Sequence, residues 1–267
     1  MEIPEEGTLI SLREENGDIY NVTIIDSSIK IKGLGVFNPK KILENISFGE
    51  DVMIGSKCIT LLPCRNPELI KGMERRAQII QPKDAGILIT KMGIGISSKV
   101  LEAGLGSGAL SMHISNVLGK KGIHVTVEEK EVHSEVGLRN LEKQNSRLNE
   151  VPNHHHISGR IENSVDEITK YSNNFDAIIL DLPDHPVAIK SVAKLLAIGG
   201  RLACYCPVSS QVESAWDACI EEGLEIEWAG ELIERTWGRA SKGGIRPVNG
   251  PFGHTAFILI AAKFSQS

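Results

Sequence analysis

Two short loops in this sequence combine glycine, proline and carboxylate residues in patterns typical of ligand sites. The first is the glycine-rich segment 104–108 (GLGSG), which follows the strand-like run 100–103. A glycine turn between a strand and a helix lets a ligand approach the backbone, and the helix offers it free N–H groups. Glu128 or Glu129 follows about 20 residues later, where a carboxylate can accept the hydrogen bonds of a ribose diol. The loop therefore predicts a site for a nucleoside-containing cofactor.

The glycine loop alone leaves the cofactor class open. Its letters also satisfy the G-x-G-x-x-A variant of the dinucleotide fingerprint, which would indicate an NAD-dependent oxidoreductase, and a purely structural turn is a further alternative. Two features favour S-adenosylmethionine. Glu102 precedes the first glycine, where it can meet the amino-acid portion of that cofactor and would repel a pyrophosphate. The predicted strands 224–234 and 255–264 suit the antiparallel hairpin that ends a methyltransferase sheet.

The second loop, residues 181–186 (DLPDHP), follows the apolar predicted strand 175–180. Ligands of open α/β sheets bind at the carboxyl ends of the strands. Prolines restrict the loop and help to fix a carboxylate there. Asp181, directly after the strand, is the candidate catalytic carboxylate, whereas Asp184 could equally be the N-cap of the next helix.

The hydrophobic pattern predicts an α/β fold around these loops. From residue 78 onward, strands and helices alternate, which indicates a Rossmann-like, mainly parallel sheet with a terminal antiparallel strand. Further strands are predicted at 98–103, 122–127, 155–157 and 200–205, and helices at 82–92, 108–118, 131–148 and 187–197. A last helix, ending near residue 222, is predicted to begin with a capping box of Ser210 and Glu213.

The first 65 residues are expected to form a small β-rich N-terminal domain. Their strand-like runs are 8–12, 19–25, 29–31, 51–54 and 58–62, separated by turn residues. We therefore predict a β-rich domain at 1–65, a connector at 66–77 and the cofactor-binding domain at 78–267.

Composition narrows the class of protein. The chain is 41% hydrophobic and 24% charged, as in ordinary globular proteins, and it has no apolar run of membrane-spanning length and no signal-peptide pattern. Five irregularly spaced cysteines argue against a disulfide framework and fit a reducing cytoplasm. The consecutive histidines 154–156 alternate faces on a strand, so we predict no metal site.

Charge is unevenly distributed along the chain. The net charge is −5, yet residues 71–100 carry six Lys and Arg against two Asp and Glu, and residues 230–267 carry five against two. Two basic stretches could form a polyanion-binding face on an acidic protein, or they could be scattered solvated charges.

With these residues placed, the whole chain resembles the tRNA (adenine-58-N1)-methyltransferases, the TrmI family. The matching segments are QIIQPKDAG at 78–86, LEAGLGSGAL at 101–110, DLPD at 181–184, YCP at 205–207, RP at 246–247 and GHTAF at 253–257. The glycine loop is generic, but the ordered set of segments is specific.

The resemblance implies a class I methyltransferase that methylates N1 of an adenosine in the tRNA T-loop, at position 58 and in some relatives also at 57. It implies S-adenosylmethionine as cofactor, tRNA as partner, a homotetramer and no membrane association. Asp181 is the expected catalytic residue. The residues expected to hold the cofactor are Gln78, Glu102, Gly104, Gly106, Ser107, Gly108, Glu128, Glu162 and Asp181. The residues expected to face RNA are Arg75, Arg76, Lys83, Arg246 and His254.

The sequence departs from the family pattern at several positions. Ala77 replaces Thr, Gln81 replaces Tyr, and Leu105 stands where Thr is common, while His185 and Pro186 replace Pro-Trp. These changes leave two alternatives open besides the oxidoreductase: a methyltransferase with another substrate, and a tRNA-binding paralogue without catalytic activity.

Overall fold

The computed structural model describes residues 2–241, 243–248 and 253–265. In the N-terminal region, four antiparallel strands form one sheet in the order β2-β1-β6-β5, and a two-stranded hairpin, β3-β4, accompanies it. The elements are β1 (Leu9–Glu14), β2 (Ile19–Thr23), β3 (Ile29–Ile31), β4 (Gly35–Phe37), α1 (Pro39–Ile42), β5 (Asp51–Ile54) and β6 (Lys57–Pro63). All five predicted strands are present, whereas β4 and α1 were not predicted.

This region has its own hydrophobic core. Ile10, Leu12, Ile59 and Leu61 alternate with polar residues along their strands and are fully buried, as expected for a sheet with one face in a core. A helix, α2 (Asn66–Lys71), then leads away from it. The side-chain amide of Asn21 donates to the carbonyl oxygens of Glu68 and Leu69 at 3.1 and 3.2 Å, which attaches α2 to the sheet.

The remaining chain alternates strands and helices. Its helices are α3 (Pro82–Lys91), α4 (Ala109–Leu118), α5 (Glu131–Ser146), α6 (Val165–Ile168), α7 (His185–Val192) and α8 (Ser209–Glu221), with single 3-10 turns at Ile161–Asn163 and Ala193–Leu195. Its strands are β7 (Lys99–Ala103), β8 (Ile123–Glu128), β9 (Asn153–Ser158), β10 (Phe175–Leu180), β11 (Leu196–Cys206), β12 (Glu225–Gly230), β13 (Trp237–Arg239), β14 (Ile245–Pro247) and β15 (Phe257–Ala262).

Seven of these strands form a single sheet in the order β12-β15-β11-β10-β7-β8-β9. The neighbours from β11 to β9 are parallel, and β15 lies antiparallel between β11 and β12. The predicted Rossmann-like fold with a terminal antiparallel strand is therefore confirmed. The strand order reverses between β7 and β10, and this is the position where open α/β sheets bind ligands.

Two local predictions were wrong. The helix predicted at 187–197 begins at His185, ends at Val192 and gives way to β11, because Leu196 pairs with Phe175 at the start of that strand. No capping box forms at Ser210: α8 begins one residue earlier, and its N-cap makes no side-chain hydrogen bond. The hairpin β13-β14 was not predicted.

The sheet is covered on both faces by apolar side chains. One face packs against α7 and α8 through residues such as Leu180, Ile189 and Cys219, and the other packs against α3 and α4 through residues such as Leu88 and Ile114. Cys204 and Cys206 are fully buried strand residues. Among the described residues, no helix has the length and apolarity needed to cross a membrane.

Candidate active site

The glycine loop follows β7 and leaves no room for side chains at two of its positions. Gly104 and Gly108 have φ values of +90° and +79°, a region that L side chains rarely adopt. A Cβ at Gly104 would meet the carbonyl oxygen of Asp181, and one at Gly108 would lie 2.8 Å from the carbonyl oxygen of Gly137. The loop backbone is therefore seated directly on the acidic loop and on α5.

Glu128, the last residue of β8, contacts this loop through its carboxylate. Oε2 accepts from the backbone N–H of Gly106 at 2.9 Å, and Oε1 accepts from that of Lys130 at 2.9 Å. A carboxylate oxygen can accept two hydrogen bonds, so both oxygens keep capacity for a ligand hydroxyl. The residue is placed where a ribose diol would be bound.

Asp181 follows β10, and its backbone N–H donates to the carbonyl oxygen of Ala103 at 2.9 Å. This bond fixes it beside the glycine loop. Burial, followed by the negative charges of Glu102 and Glu128, raises the pKa of Asp181 to about 7. A carboxyl group with a pKa near neutrality can exchange a proton under physiological conditions, which is the property required of an acid–base residue.

These residues surround a cleft of about 310 Å³, a volume within the range of small-molecule sites. Among the predicted cofactor residues, the cleft is lined by Gln78, Gly104, Gly106, Glu128, Glu162 and Asp181. Glu102 and Ser107 line a separate cavity of about 10 Å³ that also touches Gly104 and Asp181. The structure thus brings most of the predicted set to one site.

The hydroxyl of Ser107 is occupied by the protein backbone, and the contact of this residue with a cofactor stays a prediction. Oγ accepts from the N–H groups of Arg76 and Ala77 at 3.0 Å each and donates to the Ala77 carbonyl oxygen at 3.0 Å. The amide of Asn140 donates to the carbonyl oxygens of Glu74 and Ser107 at 2.9 Å each. The side chains of Ser107 and Asn140 therefore attach segment 74–77 to the glycine loop.

Glu162 lies on the cleft wall, but its carboxylate is paired. Its Oε1 is 2.8 Å from Nε of Arg160, which also lines the cleft. A ligand would contact an ion pair at this wall rather than a free carboxylate, so the contact of Glu162 with an adenine stays a prediction.

The predicted RNA-facing residues fall into two groups. Lys83 is a correction: its ammonium donates to Asp84 at 2.6 Å, to Thr255 Oγ1 at 2.7 Å and to the carbonyl oxygen of Leu232 at 2.9 Å, and its side chain is only 16% exposed. Lys83 therefore joins the basic stretches 71–100 and 230–267 inside the protein, and its ammonium is not available to a ligand. The exposed residues of the set are Arg75, Arg76, Arg246 and His254.

The exposed members differ in their partners. Arg75 donates to the Ile70 carbonyl oxygen at 3.4 Å. His254 contacts Glu231 Oε2 at 2.7 Å and the Pro207 carbonyl oxygen at 3.1 Å, and the hydrogen bond to Glu231 raises the pKa of His254. Among the described residues, the Arg76 guanidinium has no hydrogen-bond partner. The RNA contacts stay predictions.

Several cleft residues were not predicted. Tyr205, Pro207 and Thr255 line the cleft, and the Tyr205 hydroxyl donates to the buried carboxylate of Asp84 at 3.1 Å. The segments YCP and GHTAF contain these residues, so their position in the resemblance was the available signal. His133, on the first turn of α5, also lines the cleft, and no sequence pattern distinguishes it.

His185, a departure from the family pattern, is buried beneath the acidic loop. Its pKa is lowered by burial, against which the backbone hydrogen bonds of Leu180 and Tyr205 act, and both ring nitrogens lie within 4 Å of Cys206 Sγ. It therefore joins the carboxyl ends of β10 and β11. Asp184 is at the N-cap position of α7, and its side chain makes no capping bond.

The three consecutive histidines point to alternate faces of β9. His154 and His156 each contact Thr126 Oγ1 at 3.0 Å, whereas His155 stacks on Tyr171 with ring centroids 3.9 Å apart. Burial and neighbouring histidines lower the pKa of His154 to about 3. Among the described residues, no three His, Cys, Asp or Glu side chains are grouped as metal ligands.

Comparisons with known proteins identify relatives of this chain. It is 32% identical over 215 residues to the tRNA (adenine(57)-N(1)/adenine(58)-N(1))-methyltransferase TrmI of Methanocaldococcus jannaschii, covering 73% of this chain and 74% of that protein. It is 28% identical over 205 residues to the tRNA (adenine(58)-N(1))-methyltransferase TrmI of Thermus thermophilus, covering 75% of each.

Solved structures share the fold. A SAM-dependent O-methyltransferase from Thermotoga maritima superposes with a TM-score of 0.80 at 23% identity, covering 99% of this chain and 96% of that one. The tRNA (m1A58) methyltransferase TrmI from Aquifex aeolicus gives 0.72 at 22% identity, covering 99% and 100%. Residues 60–242 match the family described as the tRNA methyltransferase complex GCD14 subunit. With this match across most of its length, the chain belongs to the GCD14 family of tRNA methyltransferase subunits.

Proposed function

We propose that this protein transfers a methyl group from S-adenosylmethionine to N1 of an adenosine in the T-loop of tRNA, at position 58, with the adjacent position 57 as a second candidate acceptor. One observation supports this most directly. In a chain of the tRNA methyltransferase family, the glycine loop after β7 and Asp181 after β10 pack against each other at the point where the strand order reverses.

The residues of the cleft fit S-adenosylmethionine. Gly104 lines the cleft through its backbone, and Glu128 keeps acceptor capacity for a ribose diol. Glu102 and Asp181 provide negative charge, which suits a cofactor with cationic ammonium and sulfonium groups and would repel a pyrophosphate. In this proposal the cofactor is held by Gln78, Glu102, Gly104, Gly106, Gly108, Glu128 and Glu162, and Ser107 contributes by positioning the loop.

The bound cofactor supplies a methyl group on a sulfonium, which the in-plane lone pair of adenine N1 can take directly. Methylated adenine is cationic until it loses a proton from its exocyclic amine. Asp181 can accept a hydrogen bond from that amine and then its proton, because its pKa of about 7 keeps the carboxylate available near neutral pH. Asp181 therefore orients the base and stabilises the charge that develops on it.

The tRNA must present its adenosine to this cleft. An adenosine tucked into tRNA structure has to be extruded before its N1 can reach an active site. Arg75, Arg76, Arg246 and His254 are exposed, and in this proposal they contact the phosphate backbone, which supplies most of the affinity for RNA. The proposal includes a homotetramer in the cytoplasm, as the resemblance implies.

The test is to incubate the protein with labelled S-adenosylmethionine and unmodified tRNA and to map the methylated adenosines. We expect N1-methyladenosine in the T-loop, and its loss in the Asp181→Ala variant. Cofactor binding without tRNA methylation would show that the acceptor is different or that a partner subunit is required. No cofactor binding would exclude a methyltransferase.

A further inference from the structure

The carboxylate of Glu102 is held by two hydrogen-bond donors from different elements. Ser111, on α4, donates from Oγ to Oε2 at 2.7 Å, and Nε2 of His124, on β8, lies 2.9 Å from the same oxygen. Glu102 and His124 are both buried, with 2% and 0% of their surfaces exposed. The described residues make no hydrogen bond to Oε1, so this oxygen keeps its acceptor capacity for a ligand.

The surroundings of His124 select one form of its ring. Nδ1 is buried and has no hydrogen-bond partner among the described residues. A protonated imidazole would bury an N–H donor without an acceptor at that atom, which is costly, whereas a neutral ring leaves only a lone pair there. The neutral tautomer with its proton on Nε2 therefore fits the site, and it donates to the carboxylate of Glu102.

Glu102 acts on the candidate catalytic residue through its charge. It shares the cavity of about 10 Å³ with Asp181, and after burial it is the largest cause of the raised pKa of Asp181. Other titratable groups face these residues from three strands. On β8, Glu128 also raises the pKa of Asp181. On β11, the pKa values of Tyr205 and Cys206 are raised by burial and, to a smaller extent, by Asp181. On β9, the ring of His154 is 5.3 Å from that of His124. The residue of α4 that contacts Glu102 is Ser111, which carries no charge.

We propose that His124 is a positioning residue of the active site, which holds the Glu102 carboxylate by Oε2 and leaves Oε1 available, so that Glu102 and Asp181 together receive the cationic groups of the cofactor. This inference rests on the proposed function, because it takes S-adenosylmethionine as the ligand. It assigns a task to a fully buried histidine that the mechanism above does not use.

The test measures the affinity for S-adenosylmethionine by calorimetry across the neutral pH range in the unaltered protein and in three variants. Asp181, whose pKa is about 7, is ionised at the upper end of this range, so the affinities are compared there. His124→Leu removes the donor but fills the space, His124→Gln retains a donor near the position of Nε2, and Ser111→Ala removes the other donor with little change in packing.

We expect His124→Leu and Ser111→Ala each to weaken S-adenosylmethionine binding by about tenfold, the effect of losing one hydrogen bond to a carboxylate that receives the cofactor. His124→Gln should bind within about threefold of the unaltered protein. A purely structural role would lower the melting temperature and leave the affinity of the folded protein unchanged. Ser111→Ala keeps the inference testable if His124→Leu does not fold.

An unchanged affinity in both variants that lack a donor would overturn the inference, and so would an affinity of His124→Gln as low as that of His124→Leu. These results would leave the proposed function intact, since the unaltered protein would still bind the cofactor and methylate tRNA. Absence of S-adenosylmethionine binding by the unaltered protein at every pH would overturn both.

Discussion

The carbonyl oxygen of Asp181 occupies the space that a side chain at position 104 would need. Hydrogen bonds fix the contact: the Gly104 N–H donates to Val127 O and the Asp181 N–H donates to Ala103 O, each at 2.9 Å. The ends of β7, β8 and β10 are therefore joined at the cleft. The cofactor loop and the acidic loop cannot move independently of each other.

Gly104→Ala is expected to abolish S-adenosylmethionine binding, because the added methyl group must displace Asp181 or the loop. Gly35→Ala is the matched control. Gly35 has a similar φ of +84°, but a Cβ there meets no atom within 4 Å, so its cost is limited to backbone strain of about 1–2 kcal/mol. Calorimetric titration and thermal unfolding of both variants provide the measurement. Normal cofactor binding by Gly104→Ala would show that the two loops are not in contact.

Much of this fold could be predicted because the signals are local. The strands from β7 to β10 are short apolar runs bounded by turn residues, and a parallel sheet places their carboxyl ends at one edge. The positions of Asp181 and the glycine loop could be predicted directly, because each comes straight after a strand that ends at that edge. The position of β15 between β11 and β12 follows less directly, because pattern alone predicts two final strands but not the neighbour of each.

The errors come from partners that are distant in sequence. Lys83 looks like a free cation until Leu232 and Thr255, about 150 residues or more away, are brought to its ammonium. The Ser107 hydroxyl looks like a ligand group until the backbone of Ala77 reaches it. Glu162 is a different case: Arg160, two residues away, pairs its carboxylate, and its contact with an adenine stays a prediction.

Lys83→Met is expected to lower the free energy of unfolding by about 3 kcal/mol, because it leaves the fully buried Asp84 without its cationic partner. Arg76→Met removes an exposed cation and should change the free energy of unfolding by less than about 0.5 kcal/mol, while it weakens tRNA binding. Urea denaturation and a tRNA filter-binding assay distinguish the two effects. If Lys83→Met unfolds like the unaltered protein and only loses tRNA affinity, the internal role assigned to Lys83 is wrong.

Asp181→Asn is expected to stabilise the free protein at alkaline pH. Burial raises the pKa of Asp181 from 3.8 to about 7, so its contribution to stability is full below the unfolded value of 3.8 and is lost as the pH rises through 7. Asparagine has no charge to bury. The advantage of Asp181→Asn should therefore grow by about 2–3 kcal/mol between about pH 5 and pH 8.

The measurement for Asp181→Asn is urea denaturation at both pH values without cofactor. Asp176→Asn is the control, because Asp176 is an exposed carboxylate in the same strand region that accepts the backbone N–H of Lys99 at 2.8 Å. The stability difference between Asp176→Asn and the unaltered protein should not grow between these two pH values. An advantage of Asp181→Asn that is the same at both pH values would contradict the raised pKa of Asp181.

The pH dependence of catalysis should differ between the free enzyme and its complex with S-adenosylmethionine. The ratio kcat/KM for S-adenosylmethionine reports the groups of the free enzyme, so it should fall below about pH 7 as Asp181 becomes protonated. The profile of kcat should fall at lower pH, because a cationic sulfonium near Asp181 favours its carboxylate. In Glu102→Gln, kcat/KM should fall at a lower pH than in the unaltered protein, since the charge of Glu102 contributes to the raised pKa of Asp181. If kcat/KM and kcat both fell only near pH 4, Asp181 would have an ordinary carboxyl pKa in the working enzyme.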